Sequence, residues 1–451
     1  MPDPLNRSGP DVVLILTDQQ TADAMSAAGN PYLRTPAMDA LAAAGTRYPN
    51  AYCAQPLCTP SRASLMTGRL PSTVGVTGNT GGPEDPLLGR LFTEAGYDCG
   101  YGGKWHLPEL DLPADRGFRR IHPAGGDDAG LARAAAEFVR APRERPFLLV
   151  ASFLEPHGIC EWARGQDPRT GPLPPAPPVP RLPPLPANFP VGPYDPALPR
   201  LARLAQPHTH PTAEWREDDW RRYRHAYYAL VERVDRHIGL LLEALAERGT
   251  DRGTVVVFSS DHGDGAGAHR WNQKWALYEE CVRVPLVVSA PGVAAGAVDE
   301  RLVAAGLDLI PTLCDLAGIE GPDGLPGRSV RAQRPHDSVV VETRWEIPGF
   351  NNALGRMVRA GRHKYVCYAW GDHREQLFDL AADPGELVNL AVDARHAALL
   401  DRFRALLSEH CAEVADPFAR FVPRAAEEPS AAGEPQAAGE PRATGGPHAA
   451  H

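Results

Sequence analysis

A chain of 451 residues, 43% of them hydrophobic, is long enough to bury a large core and to form roughly two to three domains, or one large α/β domain with an appendage. Its formal charge of -10 argues against nucleic acid as a main partner, because duplex binding shows as a basic surface, but a local cluster of Lys, Arg and His still suits an anionic small ligand. The eight scattered cysteines contain no C-x-x-C and read as reduced thiols, and residues 1–10 carry no basic leader, so a cytoplasmic protein without a membrane partner is expected.

Residues 11–17 form a short, continuous, β-branched apolar run, the sign of a strand buried on both faces. The run is too short for a signal core or a membrane span. It ends in Asp18-Gln19-Gln20, at the carboxyl end where parallel sheets bind ligands. Helix start and stop signals follow three times: Thr35-Pro36 with Gly45, Pro60 with Gly68, and Asp85-Pro86 with Gly96. Strand-like stretches at 97–101, 146–153, 254–259 and 284–289 alternate with helical segments. The expected fold is therefore α/β, a large mostly parallel sheet sandwiched by helices.

Residues 167–211 interrupt this rhythm with a proline-dense stretch, expected as an extended surface excursion and not a core element. Residues 214–248 place Tyr223, Tyr227, Leu230, Val234, Ile238, Leu241, Leu242 and Leu245 at helical spacing, a core-facing stripe. From residue 338 the pattern changes to short strands at 339–341, 356–360 and 364–368 and a helix at 393–411. A small C-terminal α+β subdomain over 338–424 is expected beside a main domain over 1–337. Residues 425–451 repeat Ala, Gly, Glu and Pro with almost no apolar surface, so a disordered tail is expected.

Cys58-Thr59-Pro60-Ser61-Arg62 opens the second of the capped helices, where unpaired N–H groups and the helix dipole favour an anion. It matches C-x-P-S-R, and with the following Ala63 to Arg69 it resembles the first signature block of the sulfatases, formylglycine-dependent enzymes of the alkaline-phosphatase-like superfamily. Five separated places repeat that family's pattern in the same order, over roughly residues 11–390. Taken singly, each residue has an ordinary reading as a buried thiol, a helix cap or a solvated lysine; the ordered set is what singles them out.

The resemblance implies that Cys58 is oxidised after translation to formylglycine, by a formylglycine-generating enzyme that reads residues 58–62. Its hydrated aldehyde attacks the sulfur of a sulfate ester, and its second hydroxyl then lets sulfate be ejected as the aldehyde re-forms. Asp18, Asp261 and His262 resemble the metal ligands, completed by residue 58. Oxygen donors with one imidazole suit Ca²⁺ and also accommodate Mn²⁺. Many sulfatases have a second aspartate where this chain has Gln19; either its amide oxygen coordinates or water fills that position. Gly103-Lys104-Trp105-His106 resembles the family's G-K-W-H block, which implies that Lys104 and His106 contact the formylglycine. Lys104 and His106 alternate on an extended segment and are expected to point the same way. Glu155-Pro156-His157 implies a histidine that binds sulfate or protonates the departing alcohol, a task suited to its pKa near working pH. Lys274 resembles the second sulfate-binding lysine, and Arg62 would hold the aldehyde hydrate and balance the carboxylates.

For the substrate, Glu161, Arg164 and Trp271 flank these blocks and are expected in the pocket wall, where Trp stacks on sugar or aryl faces and charged groups read hydroxyls. A sulfated carbohydrate is the first expectation, then an aryl sulfate, then choline sulfate. The nearest rival is a phosphonate monoester or phosphodiester hydrolase using the same formylglycine; a non-catalytic sulfated-glycan binder is a more distant one. The oligomeric state is not legible.

Overall fold

Five consecutive apolar residues, Val12 to Leu16, leave no face for water, and all five are fully buried at the centre of an eight-stranded sheet. In the computed structural model the described residues are 9–83, 87–107, 116–123, 125–249, 253–347, 350 and 353–424. The expected cap Asp85-Pro86 and the expected tail 425–451 lie outside them.

In chain order the first half comprises β1 (Asp11–Asp18), α1 (Pro36–Ala44), β2 (Thr46–Arg47), β3 (Ala51–Tyr52), α2 (Cys58–Thr67), α3 (Leu88–Glu94), β4 (Asp98–Gly103), β5 (Arg119–His122), α4 (Asp128–Arg140), β6 (Phe147–Pro156), α5 (Ile159–Ala163) and α6 (Ala197–Ala205). Then follow α7 (Glu217–Arg248), β7 (Thr254–Ser260), α8 (Glu279–Val282), β8 (Leu286–Ser289), β9 (Ala297–Val298), β10 (Val303–Ala304) and α9 (Ala305–Ala317). The C-terminal part comprises β11 (Ser338–Arg344), β12 (Leu354–Ala360), β13 (His363–Tyr368), β14 (Glu375–Asp379) and α10 (Ala397–Glu413).

The large sheet runs β5-β4-β6-β1-β7-β8-β2-β9. Its first five strands are mutually parallel, and β8 reverses against β7. Alternation along β1 divides the interior in two. Val12, Leu14 and Leu16 face a core shared with α2 and α9, while Val13 and Ile15 face one shared with α1, α4 and α7. The stripe expected on residues 214–248 is the buried face of α7, with Tyr223, Tyr227, Leu230, Val234, Ile238 and Leu241 all fully buried. The four C-terminal strands form a separate antiparallel sheet, backed by α10 through Leu400, Phe403 and Leu407.

One feature differs from expectation, and one helix contains a residue that ordinarily ends it. The proline-dense excursion contains α6, whose Leu198 and Ala202 are fully buried in the main core, because its amphipathic turn covers apolar surface that the prolines cannot. α9 continues through Pro311, a residue that ordinarily interrupts a helix.

Parallel register sets the functional geometry. Thr17 pairs with Ser260, so the next residues, Asp18 and Asp261, emerge side by side. Gly103 pairs with Ser152, and Asp18 with Pro156, which brings Lys104 and His157 to the same edge. Gly103 has φ 86°, and a Cβ there would lie 2.1 Å from the Ser152 carbonyl oxygen. Gly103→Ala is therefore expected to lower stability by about 3 kcal/mol, from strain plus overpacking. Gly29→Ala, at φ 89° with nothing within 4 Å of the added atom, should lose only about 1 kcal/mol. Urea midpoints at unchanged slope check the contrast.

Candidate active site

α2 has all ten of its residues buried, although five of them are Thr59, Ser61, Arg62, Ser64 and Thr67. A polar helix sunk in a core must give its side chains partners. Arg62 has four: its Nε donates to Asp261 Oδ2 at 2.8 Å, its Nη2 to Asp18 Oδ2 at 2.9 Å, and its Nη1 to the Lys104 carbonyl at 2.7 Å and Ser152 Oγ at 2.8 Å. Ser61 Oγ donates to the Asp261 carbonyl. The helix ends as its sequence signals, at Gly68 in the left-handed region with its N–H on the Ser64 carbonyl.

Cys58 is the first residue of that helix and is 1% exposed. Its Sγ lies 3.2 Å from His262 Nε2, 3.8 Å from Asp18 Oδ1 and 3.1 Å from Lys274 Nζ. Burial and Asp18 oppose a charge on this thiol, but Lys104, Lys274 and His262 more than reverse them and hold it well below its usual value. Asp18 behaves likewise: burial raises its pKa, while Lys104, His157, Arg62 and Lys274 pull it well below the carboxylate range. The Lys104 ammonium sits 2.6 Å from Asp18 Oδ2.

Asp18, Cys58, Asp261 and His262 offer four donor atoms within 4.8 Å of one another, all buried, a set that fits a divalent cation. His262 turns its other ring nitrogen, Nδ1, to the Gly263 carbonyl at 2.9 Å, which fixes the ring. Gln19 is placed differently from those four. Its amide nitrogen donates to Asp264 Oδ2 at 2.7 Å, and its oxygen accepts from Lys274 Nζ at 2.9 Å and Cys160 Sγ at 3.3 Å. A carboxylate on one side and an ammonium on the other leave the amide one orientation, so Gln19 positions Lys274.

Lys274 is 4% exposed and lies between Gln273 and Trp275, both with φ 71°. Backbone held in that region concentrates at functional sites. The loop is pinned from outside: Trp275 N donates to the Pro56 carbonyl at 2.9 Å, and Thr343 Oγ1 of β11 donates to the Trp275 carbonyl at 2.6 Å. Lys104 and His106 both face the start of α2, but not by simple alternation, since His106 has φ 55°. Its Nδ1 lies 3.4 Å from Thr59 Oγ1. His157 follows β6; burial, then Lys104 and Lys274, depress its pKa to about 3, and its Nδ1 has no hydrogen-bond partner among the described residues. Its neutral form is thus favoured, and the unpartnered nitrogen is itself shielded from solvent.

A family model described as Sulfatase matches residues 10–319, and one described as N-sulphoglucosamine sulphohydrolase, C-terminal, matches 267–413. The chain belongs to the sulfatase family. It is thereby an enzyme of the sulfuric ester hydrolase class. A Delta 4,5-hexuronate-2-O-sulfatase of Bacteroides thetaiotaomicron is 32% identical over 446 residues, covering 91% of this chain and 90% of the relative. A choline-sulfatase of Rhizobium meliloti is 28% identical, covering 89% and 86%. Among solved structures, a 2-O GAG sulfatase superposes with TM-score 0.82 at 32% identity, covering 91% of this chain and 94% of that one. A phosphonate monoester hydrolase of Agrobacterium radiobacter superposes with TM-score 0.70 at 24% identity, a likeness of fold.

The expected pocket-wall residues of the sulfatase are dispersed. Trp271 is 1% exposed, packed in the core, and donates its indole N–H to the Lys274 carbonyl at 2.9 Å, so it supports that lysine's loop. Glu161 is buried and bonds Arg169 Nε at 2.8 Å. Arg164 is half-buried just after α5. Asp264, Tyr223 and Arg169 were not expected at the site, Tyr223 having been read only as a core residue of the long helix. Asp264 was legible as the last residue of the Asp-His-Gly-Asp block, whereas the helical spacing of Tyr223 marks only a core position and Arg169 carries no local signal.

Two tests follow from these buried charges. Arg62→Leu leaves Asp18 with Lys104 as its cation and takes from Asp261 its guanidinium partner, and is expected to lower stability by about 3–5 kcal/mol, measured by chemical denaturation. Burial pushes the Glu155 carboxyl up from 4.5 to about 7, against hydrogen bonds from Thr170 and Gly158. A raised folded pKa adds stability that is complete below about pH 4.5 and is lost as pH rises through about 7. Glu155→Gln should therefore flatten the fall in urea midpoint that the native protein shows between about pH 5 and 8.

Proposed function

We propose that this protein hydrolyses sulfate esters of sugars, with formylglycine made from Cys58 and a divalent cation, Ca²⁺ first and Mn²⁺ second, held by Asp18, Asp261, His262 and residue 58. The observation that carries the reading is the convergence of Asp18, Arg62, Asp261, His262 and Lys274 on Cys58, with spans of up to 216 residues between bonded partners. The donor chemistry supports the modification too. Two carboxylates and an imidazole suit a hard cation, and a thiol is the one soft member; an oxygen at residue 58 makes the set uniform.

A cation held by Asp18, Asp261, His262 and residue 58 would supply Lewis acidity to an oxygen at residue 58 and to the sulfate, and an aldehyde hydrate at residue 58 would supply the attacking hydroxyl and a second hydroxyl whose proton loss re-forms the aldehyde as sulfate leaves. The chain's own residues do the rest. Asp18 and Asp261 meet Arg62 and Lys104, while Lys274 bonds Gln19 and residue 58, so two ammonium groups stand beside residue 58 to draw in an anion. Lys104, Lys274 and the free nitrogen of His157 stabilise charge on the sulfate oxygens. Burial first and the two lysines second depress the His157 pKa, so an anion seated between those lysines removes the smaller part of that effect and moves His157 toward the form that protonates the leaving alcohol. His106, beside Thr59, takes the hydrate's second proton.

Because every residue of α2 is buried, the maturation enzyme must read residues 58–62 before they fold. All eight cysteines are buried and unbridged, which supports a reducing compartment, the cytoplasm. Among the described residues no helix is long and apolar enough to cross a membrane.

Parallel assays with an aryl sulfate and an aryl phosphonate test the reaction: kcat/KM should favour the sulfate by at least about tenfold, and the reverse ratio assigns the phosphonate reaction instead. Cys58→Ala should lose at least about 10⁴-fold in kcat and Lys274→Ala about 10²–10³-fold. Chelation should abolish turnover and Ca²⁺ restore it.

A further inference from the structure

We propose that Arg169 reads a second anionic group on the substrate, so that the natural substrates are acidic sugars carrying a carboxylate or another sulfate beside the scissile one. This rests on the sulfatase reading above and specifies its substrate class.

Six of the converging residues, Asp18, Cys58, Arg62, Asp261, His262 and Lys274, are buried; Lys104, His106 and His157 are the three that are only partly covered. All three open into one cavity of about 330 Å³. That lies at the small end of ligand pockets, which run from about 300 to 1,000 Å³, and gives room for about one sugar ring. The rest of the substrate therefore meets the wall of this cavity.

The charges on that wall are mostly spent. Asp128 uses both carboxylate oxygens on backbone N–H groups, Leu154 at 2.8 Å and Glu155 at 2.9 Å. His122 and Asp127 face each other at 3.4 Å, and Asp127 also caps α4 by accepting from Gly130 N at 2.8 Å. Lys104 is tied to Asp18. Arg169 differs. Glu161, itself 7% exposed, holds its Nε at 2.8 Å and accepts from its backbone N at 3.4 Å. Gly126, with φ 85°, brings its loop against the Arg169 stem, where an added Cβ would lie 3.2 Å from Arg169 Cβ. The stem and one edge of the guanidinium are thus fixed, while the side chain stays 69% exposed and its outer N–H groups have no partner among the described residues. A planar donor fork held in this way matches a carboxylate or sulfate bidentately.

The same wall disfavours a cationic substrate. Quaternary ammonium groups are recognised by aromatic faces, and no Phe, Tyr or Trp lines the cavity among the described residues. Choline sulfate would meet Arg169 with no such face.

The test compares native protein, Arg169→Ala and Arg169→Gln on two matched pairs, with 4-nitrophenyl sulfate as the common reference. The pairs are glucuronate 2-sulfate with its carboxyl-reduced form, and glucosamine N,6-disulfate with N-acetylglucosamine 6-sulfate. The native enzyme should favour the acidic member of at least one pair. Both variants should lose about 10–100-fold in kcat/KM on that member, mainly through KM, as expected for a charge-assisted hydrogen bond. The neutral member and the nitrophenyl ester should stay within about twofold, which also shows that the variants fold. Preference in the uronate pair assigns the second anion as a carboxylate, and preference in the glucosamine pair as a sulfate. Equal losses on both members, or no native preference in either pair while nitrophenyl sulfate is turned over, overturns the proposal. If formylglycine-bearing protein cleaves no sulfate ester at all, the sulfatase reading fails and takes this proposal with it.

Discussion

One guanidinium holds this site together. Asp18 and Asp261 emerge from neighbouring parallel strands with their carboxylates forced into proximity, and water is excluded from both. Two buried like charges at such range are tolerated only if something compensates them. Arg62 does so with both faces of its fork, and in reaching them it fixes the depth and rotation of α2, which carries Cys58 one turn earlier on the same helix. Sheet register thus sets the carboxylates, the carboxylates set the arginine, and the arginine sets the cysteine.

Lysines complete the balance from two further directions. Lys104 arrives from β4 because that strand pairs with β6 at Ser152, and Lys274 from a loop whose backbone is bent unfavourably on both sides of it. That loop keeps its shape through contacts with the C-terminal sheet, which bonds the Trp275 carbonyl through Thr343. A second anchor lies nearby, where the fully buried Lys364 of β13 meets Glu279 at 2.9 Å and Glu386 at 2.7 Å. The small antiparallel sheet thereby braces the loop that carries Lys274.

Much of this was legible in the sequence. Continuous apolar runs marked β1 and β7 because strands buried on both faces cannot alternate, and the long stripe marked α7 because its period is helical. The pairs Pro60 with Gly68 and Thr35 with Gly45 bounded α2 and α1 for steric reasons that act locally. What sequence could not supply was direction. Gln19 occupies an expected ligand position, yet its oxygen turns to Lys274 because Asp264, 245 residues away, claims its amide nitrogen. Trp271 looked like a stacking platform and is a core residue; Glu161 looked like a substrate contact and anchors Arg169. Such outcomes depend on partners brought in by the fold, and no spacing along the chain announces them.

The central claim is that residue 58 works as an oxidised carbon and not as a thiol. Mass spectrometry of the residue-58 peptide, taken from active protein produced together with a formylglycine-generating enzyme, tests it most directly. The account predicts the aldehyde and its hydrate at position 58, in proportion to specific activity. Full activity in protein whose residue 58 is entirely unmodified cysteine would contradict it.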